Sequence, residues 1–168
     1  MLFAEKMIKQ KRIDLVVEMD TDLSSHPKEL PRNIKFFKKE KLDLLIMSRY
    51  LNGSKIINWP LRRRIFSFLS NKLANFLIRA KVSDYTMGYR IYSLKAIIQV
   101  ANNCGKVGSG FIVLSEILAE LHYNNFKIRD TKTTFINREK GNSTVGLKLI
   151  YESLIGVFRI YFKFRKIF

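Results

Sequence analysis

A single cysteine, Cys104, stands among 168 residues. It leaves no internal disulfide framework and suits a reducing compartment. Acidic residues are also scarce: 14 Asp and Glu face 31 Lys and Arg, a formal charge of +17 at pH 7. That excess points to anionic partners, whether nucleic acid, anionic lipid or phosphorylated small molecules, without choosing among them. Long apolar runs are missing too. Nowhere do about 18 or more apolar residues follow uninterrupted, so no spanning helix is expected and any membrane contact is peripheral. Charged residues Glu5, Lys6, Lys9, Lys11 and Arg12 break the opening stretch, which does not read as a secretory signal. No linker rich in Pro, Gly or Ser and no internal repeat divides the chain.

What is present is 47% hydrophobic content, enough for one domain with a sizeable core. Helical and strand patterns alternate. Short helices are expected over 4–12 and 94–102, strands over 13–19, 42–47 and 89–93, and a helix over 27–39 opened by Ser25 and Pro27. The strands at 13–19 and 42–47 read as a βαβ unit. Over 61–80 the set Ile65, Phe66, Leu69, Leu73, Phe76 and Leu77 keeps helical spacing and predicts a core-facing helix. A loop over 81–88, a helix over 111–123, extended segments at 126–129 and 133–137, a polar loop over 138–144 and a long helix from 146 onward complete the pattern.

Four polar clusters sit at the ends of these elements, where sites built on loops belong. Asp20, Thr21 and Asp22 close the first strand, leading to Leu23, Ser24, Ser25, His26 and Pro27. Side chains at i and i+2 point the same way, so Asp20 and Asp22 can converge on one hard cation at the carboxyl edge of a sheet. As turn formers they also suit a strand end without any metal. Next come Ser48, Arg49 and Tyr50, followed by Trp59, Pro60 and Leu61 with Arg62, Arg63 and Arg64. Three cations at a helix start are disfavoured by the macrodipole and so are poorly explained as helix stabilisers, although a solvated face is the plain alternative. The third cluster runs from Ser83 and Asp84 to Gly88, Tyr89 and Arg90, and the fourth contains Arg138, Gly141 and Ser143. His26 and His122 read as ordinary groups, because no other His or Cys stands at metal spacing.

In this order and spacing the clusters resemble the polyprenyl-phosphate glycosyltransferases of glycosyltransferase family 2, the dolichol-phosphate mannosyltransferase group in particular. The resemblance implies a Rossmann-like, glycosyltransferase A-type α/β fold. It implies inverting transfer of a hexose, such as mannose from GDP-mannose, from a nucleotide diphosphate sugar donor to a polyprenyl or dolichyl phosphate acceptor. Asp20, Asp22 and Ser24 match the family's metal site for Mg²⁺ or Mn²⁺. Arg49, Arg63 and Arg138, with Ser143 nearby, match the residues that hold the acceptor phosphate, for which the planar guanidinium fork is suited; with Asp22 these three arginines form the expected catalytic set. Asp84 either orients one of the arginines or caps its turn. Arg90 belongs to the same turn. Glu116 lies in an apolar helical pattern where a carboxylate needs a partner or a task, and the family places an acid on this helix near the site.

Two departures accompany the resemblance. Thr144 follows Ser143 where the family carries a lysine, removing one phosphate-binding cation. The likeness also runs only from the middle of the family's fold onward, so the expectation is a chain incomplete at its N-terminus, with weak donor binding. Residues 1–145 are then the later part of a catalytic domain and 146–168 an amphipathic helix. In that helix Ile150, Leu154, Val157, Tyr161, Phe164 and Phe168 form one stripe, widened by Ile155, Phe158 and Phe162, with Arg159, Lys163 and Lys166 opposite. Such a helix either packs on the core or seats the protein peripherally on the cytoplasmic face of a membrane. A non-catalytic fragment that binds lipid phosphate is the alternative reading. A basic nucleic-acid-binding domain ranks lower, since no nucleic-acid motif accompanies the charge, and no nucleic-acid partner is expected.

Overall fold

The computed structural model describes residues 13–22, 24–108, 110–137 and 147–165, with the backbone alone for 147–151 and 153. Among these residues six strands and five α-helices follow in the order β1 (Leu15–Glu18), α1 (Leu30–Glu40), β2 (Leu44–Ser48), β3 (Lys55–Ile57), α2 (Leu61–Ile78), β4 (Arg90–Ser93), α3 (Leu94–Asn103), α4 (Phe111–Tyr123), β5 (Ile128–Lys132), β6 (Thr134–Ile136) and α5 (Leu147–Arg165). The helix expected at 4–12 lies outside the described residues.

Four strands form the main sheet in the order β1-β4-β2-β5. β2 and β5 pair in parallel, while β4 runs antiparallel to both β1 and β2. The crossover through α1 thus returns the chain parallel to β1 but leaves a gap that β4 fills. All five residues of β2 are buried, as an interior strand covered on both faces requires. The carboxyl ends of β1, β2 and β5 and the start of β4 share one edge. β3 and β6 pair as a second, two-stranded parallel sheet, joined through Ser25 bridging Phe135 and Ile136 N–H donating to Ser24 O.

Several elements differ from expectation. The helix expected at 27–39 starts as a 3-10 turn, Pro27–Glu29, capped by His26, whose Nδ1 accepts from Lys28 N at 3.1 Å; Ser25 pairs with β6 instead. β3 was not foreseen, and β5 extends past 129 because Asp130, Thr131 and Lys132 pair with Ile46, Met47 and Ser48. Tertiary pairing overrides the weak strand propensity of that polar stretch.

The larger correction concerns α2. Of its expected core face, Ile65, Leu69 and Phe76 are 50%, 58% and 70% exposed, and the helix buries Asn71, Ala74 and Ile78 instead. The reason is polar: Asn71 Oδ1 accepts from Tyr85 N, and its Nδ2 donates to Ser67 O and Thr86 Oγ1. A buried backbone N–H in the following loop is thereby satisfied.

α5 packs on α4 and α2. Val157, Ile160 and Phe164 are buried, Phe164 stacks on Tyr123 at 5.0 Å, while Phe158 and Phe162 face outward. Gly156 permits the close crossing, since a Cβ there would lie 2.3 Å from Ile112 Cγ1. Lys163, expected on the polar side, turns inward along its apolar stem. Its Nζ reaches Glu116 at 3.0 Å and Asn103 O at 3.2 Å.

Candidate active site

The site is built where β1, β2 and β5 end. Arg49 follows β2 directly and is 9% exposed; Asp84, at the start of the loop before β4, is fully buried. Arg49 Nε donates to Asp84 Oδ2 and Nη2 to Asp84 Oδ1, both at 2.8 Å, and Arg49 N adds a third bond to Oδ2 at 3.1 Å. Asp84 Oδ1 also accepts from Thr86 N at 3.2 Å. The two roles weighed for Asp84 therefore coincide: it orients an arginine and closes its own turn.

Burial lowers the pKa of Arg49, but the charge and hydrogen bond of Asp84, helped by Tyr50 and Asp20, together outweigh it and raise the guanidinium above its ordinary value. Burial likewise pushes Asp84 up, and the charge and hydrogen bonds of Arg49 more than reverse this, holding the carboxyl below the usual carboxylate range. Both groups are charged at neutral pH.

The loop carrying Asp84 is held from several sides. Ser83 donates through N and Oγ to Asp130 Oδ2 at 2.7 and 2.6 Å. Ser48 Oγ lies 2.6 Å from Ser83 Oγ and, because that proton goes to Asp130, must be the donor of the pair. Tyr85 OH donates to Asn75 Oδ1 and accepts from Ala80 N. Arg90, fully buried, donates to the carbonyls of Met87, Leu114 and Tyr85 at 2.7–2.9 Å. It is the post behind the loop rather than a group facing the edge.

An aromatic wall stands on the other side of Arg49. Its guanidinium carbon lies 5.1 Å from the ring of Trp59, 5.4 Å from Tyr50 and 5.6 Å from Phe135. Trp59 and Phe135 pack at 5.3 Å, and Arg63, one turn into α2, lies over the same Trp59 ring at 5.9 Å. The structure thus brings Arg49, Arg63 and Asp84 together from three separate segments. Beyond Tyr50 a pocket of about 330 Å³ opens between Phe68, Lys72, Lys81 and Asp130.

Asp20 and Asp22 are exposed at the end of β1. Asp20 lies against Gly88, where a Cβ would stand 3.3 Å from its Oδ1, and its charge is felt by Arg49. Asp22 Oδ1 accepts from Ser24 N at 3.0 Å. The Ser24 hydroxyl is buried and has no partner among the described residues. Two carboxylates and a hydroxyl are hard oxygen donors of the kind Mg²⁺ and Mn²⁺ take, so the donor set fits such an ion. Among the described residues no three His, Cys, Asp or Glu stand together as a metal cage. An ion here would complete its shell with water and substrate phosphate, which is the usual habit of Mg²⁺.

Glu116 is placed apart from the arginine cluster. It is fully buried, accepting from Lys163 Nζ at 3.0 Å, Gly105 N at 2.9 Å and Val107 N at 3.4 Å. Burial, with Glu116 and Glu120 near, pushes the neighbouring Cys104 thiol up to about 12. Arg138 and Ser143, with Gly141 and Thr144, lie outside the described residues. Sequence reasoning gave no role to Trp59, Phe135, Asn71 or Asp130. A tryptophan four residues before Arg63 and an asparagine inside an apolar helix were the available signals.

A family model described as glycosyl transferase family 2 matches residues 5–101. The chain is 31% identical over 153 residues to an undecaprenyl-phosphate mannosyltransferase of Micrococcus luteus, covering 89% of this chain and 60% of that protein. It is also 31% identical over 143 residues to a polyprenol monophosphomannose synthase of Mycolicibacterium smegmatis, covering 85% of this chain and 53% of that protein. The chain therefore spans little more than half the length of these curated relatives.

Proposed function

The chain belongs to glycosyl transferase family 2, and from that premise we propose that it serves an inverting transfer of a hexose, mannose by its relatives' names, from a nucleotide diphosphate sugar to a polyprenyl phosphate. The observation that carries the reading is the convergence of Arg49 and Arg63 on one aromatic wall, with Arg49 locked by Asp84 and Asp20 close by. Two phosphate-bearing substrates must meet around a sugar, and their mutual repulsion has to be offset by fixed cations. Guanidiniums held in place before substrate arrives give that stabilisation without reorganisation.

The acceptor phosphate is already an anion, so the transfer needs no general base, in contrast to transfer onto a hydroxyl. Arg49 and Arg63, with Arg138 and Ser143 by motif, bind and orient this nucleophile. Asp84 keeps Arg49 aimed. Asp20 and Asp22, with Ser24, would hold Mg²⁺ or Mn²⁺, which when bound neutralises charge on the departing nucleotide diphosphate.

We also assign a peripheral place on the cytoplasmic face of a membrane. No helix among the described residues is long and apolar enough to cross a bilayer. Yet Leu61, Ile65, Phe68, Leu69 and Phe76 on α2 and Phe158 and Phe162 on the adjoining α5 are all exposed, beside Arg62, Arg64, Arg159 and Arg165. Apolar faces rimmed by arginine suit an anionic lipid surface, where an isoprenoid phosphate presents its head group.

Incubation of a version extended to the relatives' full length with labelled GDP-mannose, Mg²⁺ and polyprenyl phosphate should give a lipid-linked mannose, and Asp22→Asn should abolish it. Equal turnover by the variant would reject the metal role. Saturable binding of polyprenyl phosphate without any product would favour the second reading, a non-catalytic chain that binds lipid phosphate.

A further inference from the structure

Trp59 is the only tryptophan of the chain, and it carries an unusual neighbourhood. Arg49 and Arg63 both lie against its ring, with Phe135 packed beside it. The indole Nε1 is buried and meets no protein acceptor among the described residues. An indole N–H can only donate, and buried donors are rarely left without an acceptor. Guanidiniums offer none, being donors throughout. A phosphate meets both conditions at this place, bringing acceptor oxygens to Nε1 and tolerating two cations on the same ring. Another buried hydroxyl without a partner among the described residues, Ser25 Oγ, belongs to the residue that bridges Phe135.

We propose that Trp59 is a phosphate-contacting residue: its ring seats the guanidiniums of Arg49 and Arg63, and its indole N–H donates to an oxygen of the phosphate they hold. The ring attracts both cations and holds them around one indole. The N–H adds a directional donor, so that the phosphate is fixed in orientation as well as attracted. This inference rests on the reading of Arg49 and Arg63 as the acceptor-phosphate site, and adds to it a residue with two separable functions.

Those functions part company in two substitutions. Trp59→Phe keeps an aromatic face and removes the N–H, whereas Trp59→Leu removes both. Farnesyl monophosphate is the probe, with farnesol and inorganic phosphate as the other arms, and isothermal titration calorimetry on the whole chain as the readout. In the unsubstituted chain the emission of the single tryptophan should shift saturably with farnesyl monophosphate and not with farnesol. Trp59→Phe should bind roughly tenfold more weakly or worse, the factor expected for one hydrogen bond to a charged group, with an unchanged circular dichroism spectrum. Trp59→Leu should bind more weakly still, and adding Arg63→Ala to it should cost far less than Arg63→Ala costs alone.

Binding by Trp59→Phe equal to that of the unsubstituted chain overturns the donor role, and full additivity of Trp59→Leu with Arg63→Ala overturns the seat. If the unsubstituted chain binds no farnesyl monophosphate, the acceptor-site reading falls and this inference with it. Strong binding that ignores Trp59 removes this inference alone.

Discussion

Two buried carboxylates, one at the sheet edge and one between helices, look alike in the sequence and do different things in the fold. Asp84 is clasped by Arg49 through two parallel bonds of 2.8 Å and stands at the wall where Arg63, Trp59 and Phe135 gather. Glu116 is equally buried, but its partner Lys163 is 34% exposed and its other bonds go to the backbone of the 105–107 loop. The first pair holds a planar fork in position beside a second cation. The second staples a terminal helix and a loop to α4. A buried charge therefore signals constraint, and only its neighbours separate orientation of a ligand group from anchoring.

The sharpest way to break this contrast is Asp84→Asn. Arg49 would keep a polar neighbour and lose the charge that compensates its burial, a change that costs about 3 kcal/mol or more in comparable buried pairs. Urea unfolding should show that loss, and calorimetry should show loss of polyprenyl phosphate binding with it. Acid should imitate the substitution. The folded-state pKa of Asp84 is depressed, so its contribution is present above the ordinary carboxylate value and fades as pH falls through the lower folded value. The stability difference between the two proteins should be constant from neutral pH to about 4 and shrink below it. A difference that disappears near pH 6 would mean that Asp84 is not the group concerned.

Lys163→Met should do less and do it elsewhere. Glu116 keeps two backbone donors, and the partly exposed lysine loses solvent-screened attraction, so a cost of about 1–3 kcal/mol is expected. Affinity for polyprenyl phosphate should not move. A binding defect as large as that of Asp84→Asn would place Glu116 in the site after all, where the resemblance alone had set it.

Much of this division was open to sequence reasoning, and the remainder was closed to it for physical reasons. The end of β1 with Asp20 and Asp22 and the buried β2 follow from local pattern, whereas motif order left Asp84 to orient one of the arginines or to cap its turn, and only the fold pairs it with Arg49. The outward turn of α2 does not, because an apolar stripe has the same spacing whether it meets a core or a lipid surface. What decides its orientation is Asn71, whose amide serves a loop 14 residues later. Arg90 and Glu116 were read toward the ligand for a similar reason: their partners are carbonyls, backbone N–H groups and a lysine 47 residues away. The insertion of β4 between β1 and β2 is equally non-local.

The finest test of the contrast uses two glycines, one in each region. A Cβ at Gly88 would come within 3.3 Å of Asp20 Oδ1, the far end of a flexible and exposed side chain. A Cβ at Gly156 would stand 2.3 Å from Ile112 Cγ1 and 2.7 Å from its Cδ1, inside the joint between α4 and α5. Gly88→Ala should therefore leave stability within about 0.5 kcal/mol and displace Asp20 by a few tenths of an ångström, seen as a raised Mg²⁺ requirement in the transfer assay. Gly156→Ala gains helix propensity of about 1 kcal/mol and loses about 1–3 kcal/mol to overpacking, for a small net destabilisation. Its Mg²⁺ requirement should not change. Shortening the obstacle with Ile112→Ala in the Gly156→Ala background should recover part of the overpacking loss, giving a coupling that Ile112→Ala cannot show with Gly88→Ala. Coupling of Ile112→Ala to Gly88→Ala instead would mean that the helical joint and the sheet edge act as one unit, and the separation of the two carboxylates would lose its meaning.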